Sequence, residues 1–288
     1  MRNPLTMKKV LATVDLGVTS ESVVEFGASI AARAGARLEL LYVFPPLHTH
    51  GRPRLIVDAE DSAEQQLERL SAQARELTFD GLDVRTHTER MYTAAAIFQH
   101  AEDADLIVMG QTESYGAWRF LLGDTTGEVI ENAPCPVLVV PAGLPYEEPT
   151  HFTLAVDEQL PDRAVIEPLA DLAHRFAATV DIRQIGKTDT ETDAARLAAL
   201  VAHLPFTYDL DRSGDGVPEY LSAHRDELAS GWLCLAHRRR PAWQQVMTRS
   251  LGERIAAVAP LPTLILVEPD PQRDSSAGAA REARAINT

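Results

Sequence analysis

The chain has 288 residues, a hydrophobic fraction of 45% and a formal net charge of −15 at pH 7. That length accommodates two domains of ordinary size, and the charge speaks against nucleic acid or an anionic membrane as partner. The sequence has neither a run of 18 uncharged apolar residues nor a signal-peptide core, so a cytoplasmic location is expected.

Residues 1–6 read as a leader. Lys9 to Asp15 is a first strand that ends on a carboxylate. Thr19 and Ser20 are candidate caps for a helix with Val23, Val24, Phe26, Ile30 and Ala31 on its apolar face, closed by Gly35. Leu38 to Phe44 is a second strand, stopped by Pro45 and Pro46. A polar loop over 45–62 carries His48 and His50, and an amphipathic helix is expected from about Ser62 to Thr78. The spacing of His48, His50, Asp58, Glu60 and Asp61 matches no defined metal site. A third strand near Leu82 to Thr88 and a helix around Ala94 to Ala101 follow.

Leu106 to Met109 is an unbroken apolar run between Asp105 and Gly110, as in a parallel strand buried on both faces. Gly110 ends it, Gly116 relieves the loop, and Gly123 precedes Asp124, a natural N-cap for a helix through Asn132. Glycines before a helix N-terminus let amides approach an anion, so this loop is shaped for phosphate. Pro134 stops the helix, and Val137 to Val140 is a last strand. The alternation of strand and helix implies a mostly parallel, doubly wound α/β sheet.

The pattern then recurs. Phe152 to Asp157 restates the first strand with its carboxylate. A helix over Leu169 to Phe176, strands over Val180 to Ile185 and Phe206 to Leu210, and a helix over 194–203 follow. Gly216 opens another helix, Trp232 to Ala236 replaces the Leu106 run, and Pro260 to Leu266 replaces Pro134 to Val140. The second copy is shorter, chiefly for want of a counterpart to the 45–62 loop, and it lacks the glycines of the phosphate loop. Ala236, Arg239, Ala242 and Arg249 stand at the glycine positions, and His237 to Arg240 form a basic run. The expected domains are 1–143 and 151–268, followed by a disordered tail over 269–288. Cys135 and Cys234 lie inside apolar runs and read as packed thiols.

Met109-Gly110, the glycine loop, Leu121-Leu122-Gly123, the helix and Ala133-Pro-Cys-Pro-Val-Leu-Val-Val140 resemble the C-terminal half of a universal stress protein domain. The resemblance is strong in the first repeat and faint in the second. It implies a five-stranded sheet in the order 3-2-1-4-5 in each repeat, dimerisation through the last strand, and ATP binding in many members. It assigns the adenosine half of a nucleotide to Asp15, the base pocket to Val43, Met109 and Gly110, and the phosphate loop to Gly110, Gly123 and Asp124; beside these, Gly116 lies within the loop and Thr125 and Thr126 offer hydroxyls. Glu113 and Asp124 stand where the family's loop has glycine and a hydroxyl. The implied function is a stress-response binding or regulatory protein, without turnover, for ATP or another adenine nucleotide. Two rival readings use the same residues: slow Mg²⁺-dependent ATP hydrolysis with Asp124 at the metal, and a ligand-free interaction scaffold.

The terminal strands, Pro136 to Val140 and Thr263 to Val267, are apolar on both faces. Pairing them antiparallel would cover two exposed edges at once. The expected architecture is therefore two five-stranded sheets forming an intramolecular pseudo-dimer, with a homodimer of the whole chain as a further expectation.

Overall fold

The structure is a computed structural model. It describes residues 7–44, 53–79, 81–111, 124–157, 160–186, 204–212, 216–228, 231–237 and 261–268, with Ala195, Ala199 and Val201 as isolated positions. The tail over 269–288 and residues 45–52 of the polar loop lie outside these.

In the first half, β1 (Lys9–Val14), α1 (Ser20–Ala34), β2 (Arg37–Val43), α2 (Pro53–Leu77) and β3 (Val84–Glu89) come first. They are followed by α3 (Thr93–His100), β4 (Leu106–Gly110), α4 (Asp124–Asn132) and β5 (Val137–Val140). The second half contributes β6 (His151–Val156), α5 (Arg163–Phe176), β7 (Thr179–Ile185), β8 (Phe206–Asp211), α6 (Val217–Ala223), α7 (Arg225–Leu228), β9 (Trp232–His237) and β10 (Thr263–Val267).

The two expected sheets are halves of a single ten-stranded sheet in the order β3-β2-β1-β4-β5-β10-β9-β6-β7-β8. Within each half the described pairs are parallel, and the halves join where β10 runs antiparallel to β5, with Leu264 opposite Leu138. The edges that looked hazardous in sequence satisfy one another, which leaves β3 and β8 outermost.

Both faces of the sheet are buried along its central strands, as their unbroken apolar runs demand, whereas the outermost strands β3 and β8 are largely open to solvent. On one face, Val10, Ala12, Val14, Leu38 and Leu40 pack under α1 and α2 in a core that continues through Phe152, Leu154 and Trp232. On the other, Leu11, Leu41, Ile107 and Met109 pack under α3 and α4. Gly35 takes the left-handed φ of 65° and ends α1 as expected. Cys135 and Cys234 are buried thiols, and burial pushes Cys234 well above its ordinary pKa.

Two helices begin earlier than their sequence signals. α2 starts at Pro53 rather than near Ser62. Proline is well placed in a first helical turn, and Leu55, Ala59, Ala63 and Leu67 already repeat every four residues. α5 starts at Arg163, with Pro168 inside it rather than at its entry. The apolar stripe Val165, Ile166, Leu169, Ala170, Leu172 and Ala173 is buried on both sides of that proline, and this packing outweighs one lost backbone bond.

Candidate functional site

Order 3-2-1-4-5 places β1 and β4 side by side although β2 and β3 intervene in sequence. The helices after β1 and β2 cover one face, and those after β3 and β4 cover the other. A crevice therefore opens beyond the carboxyl ends of β1 and β4, the place where doubly wound sheets accept ligands. Val14 is level with Tyr42, and Thr13 with Met109, so the chain leaves β1 at Asp15 beside Val43 and Gly110.

Asp15 is exposed and its carboxylate is held from one side. Oδ1 accepts hydrogen bonds from the Gly17 amide (2.8 Å), the Ser20 hydroxyl (2.9 Å) and the Thr19 hydroxyl (3.2 Å). Among the described residues, Oδ2 accepts none. Thr19 is the N-cap of α1, as its position implied, but its side chain makes no cap bond and turns to Asp15, as does that of Ser20, the first residue of the helix. Leu16, next along, takes a left-handed φ of 60°, the kind of local strain that gathers at binding sites. Tyr42 also stands near Asp15, and its phenol is pushed up, first by burial and then by the Asp15 charge.

Gly110 is where this turn meets β4. A Cβ built there would lie 2.9 Å from both Cβ and Oγ1 of Thr19, so the glycine is required by a close approach of α1. Met109 is buried, and Val43 packs against the cluster that contains it. These two form an apolar floor on the α3–α4 face.

Asp124 is the first residue of α4. α4 runs back toward the start of β5, so its N-terminus lies at the crevice end of the sheet, with its amides unpaired by the helix itself. Thr125 is half-buried and Thr126 is buried. Gly116, Gly123, Glu113 and the side chain of Asp124 lie outside the described residues. The structure thus gathers Asp15, Val43, Met109 and Gly110 around one crevice, with Thr125 in the first turn of the helix that faces it.

Two participants are not legible in the sequence: Thr19 and Ser20, whose hydroxyls hold Asp15. The Tyr92 hydroxyl donates to Glu128 Oε2 at 2.6 Å and ties the entry of α3 to α4.

Comparison with known proteins covers both scales. The model of the universal stress protein family matches residues 6–141. A universal stress protein of Methanocaldococcus jannaschii is 34% identical in an alignment 143 residues long that covers 46% of this chain and 81% of that protein. Universal stress protein A homolog 1 of Coxiella burnetii is 29% identical over 140 residues, 46% of this chain and 95% of that one. The crystal structure of a universal stress protein from Archaeoglobus fulgidus superposes with a TM-score of 0.71, covering 91% of this chain and 97% of that one at 17% identity, and so shares the fold across both halves. The identity to the Methanocaldococcus protein, spread over four-fifths of its length, establishes that the chain belongs to the universal stress protein family.

Proposed function

We propose that the first half, residues 1–143, binds an adenine nucleoside or nucleotide in the crevice at Asp15, and that residues 151–268 are its structural partner. On this reading the protein is a stress-response binding or regulatory protein that holds its ligand without turning it over. The observation that carries it is the state of Asp15. Three donors fix Oδ1, and Oδ2 keeps its acceptor sites for a ligand hydroxyl at the point where the strand order reverses. A ribose offers two adjacent hydroxyls to such a carboxylate. The floor of Val43 and Met109 offers apolar contact to a flat base, and the α4 N-terminus offers amides to phosphate.

The second half keeps Asp157 at the end of β6 and exchanges the glycines of the loop for other residues. Its main service is to cover β5 with β10. A homodimer of the whole chain would therefore use a surface other than the last strand.

The test is mass spectrometry of small molecules released when the purified full chain is denatured, with and without prior dialysis against adenosine, AMP, cAMP and ATP. An adenine compound retained at a substantial fraction of one equivalent is the expected result. Retention of none of the four after loading would overturn the reading.

A further inference from the structure

Away from the crevice, the α3–α4 face of the sheet carries a group of polar side chains that nucleotide binding does not use. Glu39 lies on β2 with its side chain only 6% exposed. His87 lies on the neighbouring strand β3, where it is level with Leu41, and His100 is the last residue of α3. One ligand atom from each of these three lies within 4.8 Å of the other two. Among the described residues they are the one trio of His, Cys, Asp or Glu that converges in this way.

The hydrogen bonding around the trio is lopsided. His100 Nε2 meets Glu89 Oε1 at 3.0 Å. Glu39 Oε1 accepts from Arg37 Nε at 2.8 Å, and its Oε2 meets Lys9 Nζ at 2.7 Å. His87 Nε2 is buried and has no hydrogen-bond partner among the described residues, although Glu39 Oε2 is only 3.5 Å away. A buried ring nitrogen that makes no bond costs free energy unless something comes to it. The two imidazoles are 4.8 Å apart, centroid to centroid, tilted by 51°.

We infer that Glu39, His87 and His100 form a binding site for a divalent transition-metal ion of the zinc type. Two imidazole nitrogens and one carboxylate oxygen are a donor set that such ions favour, with a fourth position left for water. Metal–ligand bonds of about 2.0–2.2 Å at tetrahedral angles put neighbouring ligand atoms roughly 3.4 Å apart. The separation of 3.5 Å between His87 Nε2 and Glu39 Oε2 already fits that edge, and His100 must close only a short remaining distance.

The surroundings supply the outer contacts that metal ligands need. Glu89 holds the ring of His100. Arg37 and Lys9 hold the Glu39 carboxylate, whose Oε2 has a second lone pair for the ion. The Lys9 ammonium does not depend on Glu39, since it also donates to the His100 carbonyl and to Asp103 Oδ1, each at 2.7 Å. An ion here would clip β3, an outermost strand, to β2 and α3.

The test is calorimetric titration of the full chain with Zn²⁺, supported by Co²⁺ absorption as a report of tetrahedral nitrogen and oxygen ligation. One strong equivalent is expected. His87→Ala and His100→Ala should each weaken it by at least about a hundredfold, whereas the double substitution His48→Ala, His50→Ala should leave it in place. Absence of a strong equivalent in the wild type overturns the inference, as does a His87→Ala protein that binds like wild type. If the alanine variants fail to fold, imidazole resonances of the wild type decide: those of His87 and His100 must move with the first equivalent, and their failure to move is equally fatal.

Discussion

At the scale of single residues, Gly110 shows how a legible residue can hide its reason. A glycine at a strand exit is readable in the sequence. That the space of its missing Cβ is filled by Thr19, 91 positions earlier, is not, because only folding brings the two together. Thr19 is β-branched and anchored to Asp15, so it yields poorly. Gly110→Ala should cost about 1–3 kcal/mol as overpacking, measurable as a lower urea midpoint, and an unchanged midpoint would contradict the close approach. A second expectation concerns Glu113 and Asp124. A carboxylate about 4 Å from a phosphate oxygen is repelled by roughly 4 kcal/mol at an effective dielectric near 20. Even a quarter of that from each residue exceeds tenfold in affinity. Glu113→Gly with Asp124→Ser should therefore improve metal-free ATP binding by about tenfold or more and leave adenosine binding nearly unchanged, as read by calorimetry.

Among the elements, strands and their order were more legible than helix starts. Apolar runs such as Leu106 to Met109 have no alternative in a buried parallel sheet, whereas Pro53 and Pro168 read as boundaries until packing is known. The polar face of β2, β3 and α3 was not legible at all: Glu39 and His87 look like ordinary strand polar residues until α3 covers them. Their titration makes a third prediction. Burial raises Glu39 and Asp103, but hydrogen bonds from Lys9 and Arg37 outweigh it and leave both below the usual carboxylate range. His87 lies below the usual histidine range through burial, with Lys9 and His100 adding to this and Glu39 and Glu89 opposing it. In all three cases the unfolded chain binds protons more readily than the folded one, so stability falls on acidification. The histidine contribution is lost first, as pH falls below its unfolded pKa of about 6.5. The carboxylate contribution follows below about 4. Urea midpoints measured from pH 7.5 to 3.5 should decline in that order, and His87→Gln should flatten the upper step. A midpoint that rises between pH 7 and 5 would contradict the assignment.

At the scale of the whole molecule, the two halves share more than the β5·β10 seam. Trp232 of β9 meets Phe26 of α1 at 5.5 Å, Phe152 at 5.6 Å and Phe176 at 6.1 Å between ring centroids, and Tyr146 of the connecting segment packs edge-on against Phe26 at 5.1 Å. Arg33 of α1 reaches Glu148 and the Arg175 carbonyl, but so exposed an ion pair contributes little beside the aromatic burial. Matching strands and prolines in the sequence suggest a repeat, whereas this junction is not legible there, since its rings come from five separate segments. Trp232→Ala should cost about 3–5 kcal/mol and speed hydrogen exchange in β1 and β2 as well as in β6 and β9. Unchanged protection in β1 and β2 would show that the halves unfold independently.

The central claim is that a nucleotide's ribose is held by the free oxygen of Asp15. Asp15→Asn isolates that atom: the amide oxygen can still accept from Gly17, Thr19 and Ser20, while the second position becomes a donor. Calorimetry of wild type and Asp15→Asn with adenosine and with ATP, each in Mg²⁺ and in EDTA, is the direct measurement. Adenosine should bind wild type equally in both buffers, ATP should need Mg²⁺, and Asp15→Asn should weaken both by about tenfold or more, at an unchanged thermal midpoint. Equal binding by wild type and Asp15→Asn, or no binding of either ligand to wild type, would contradict it.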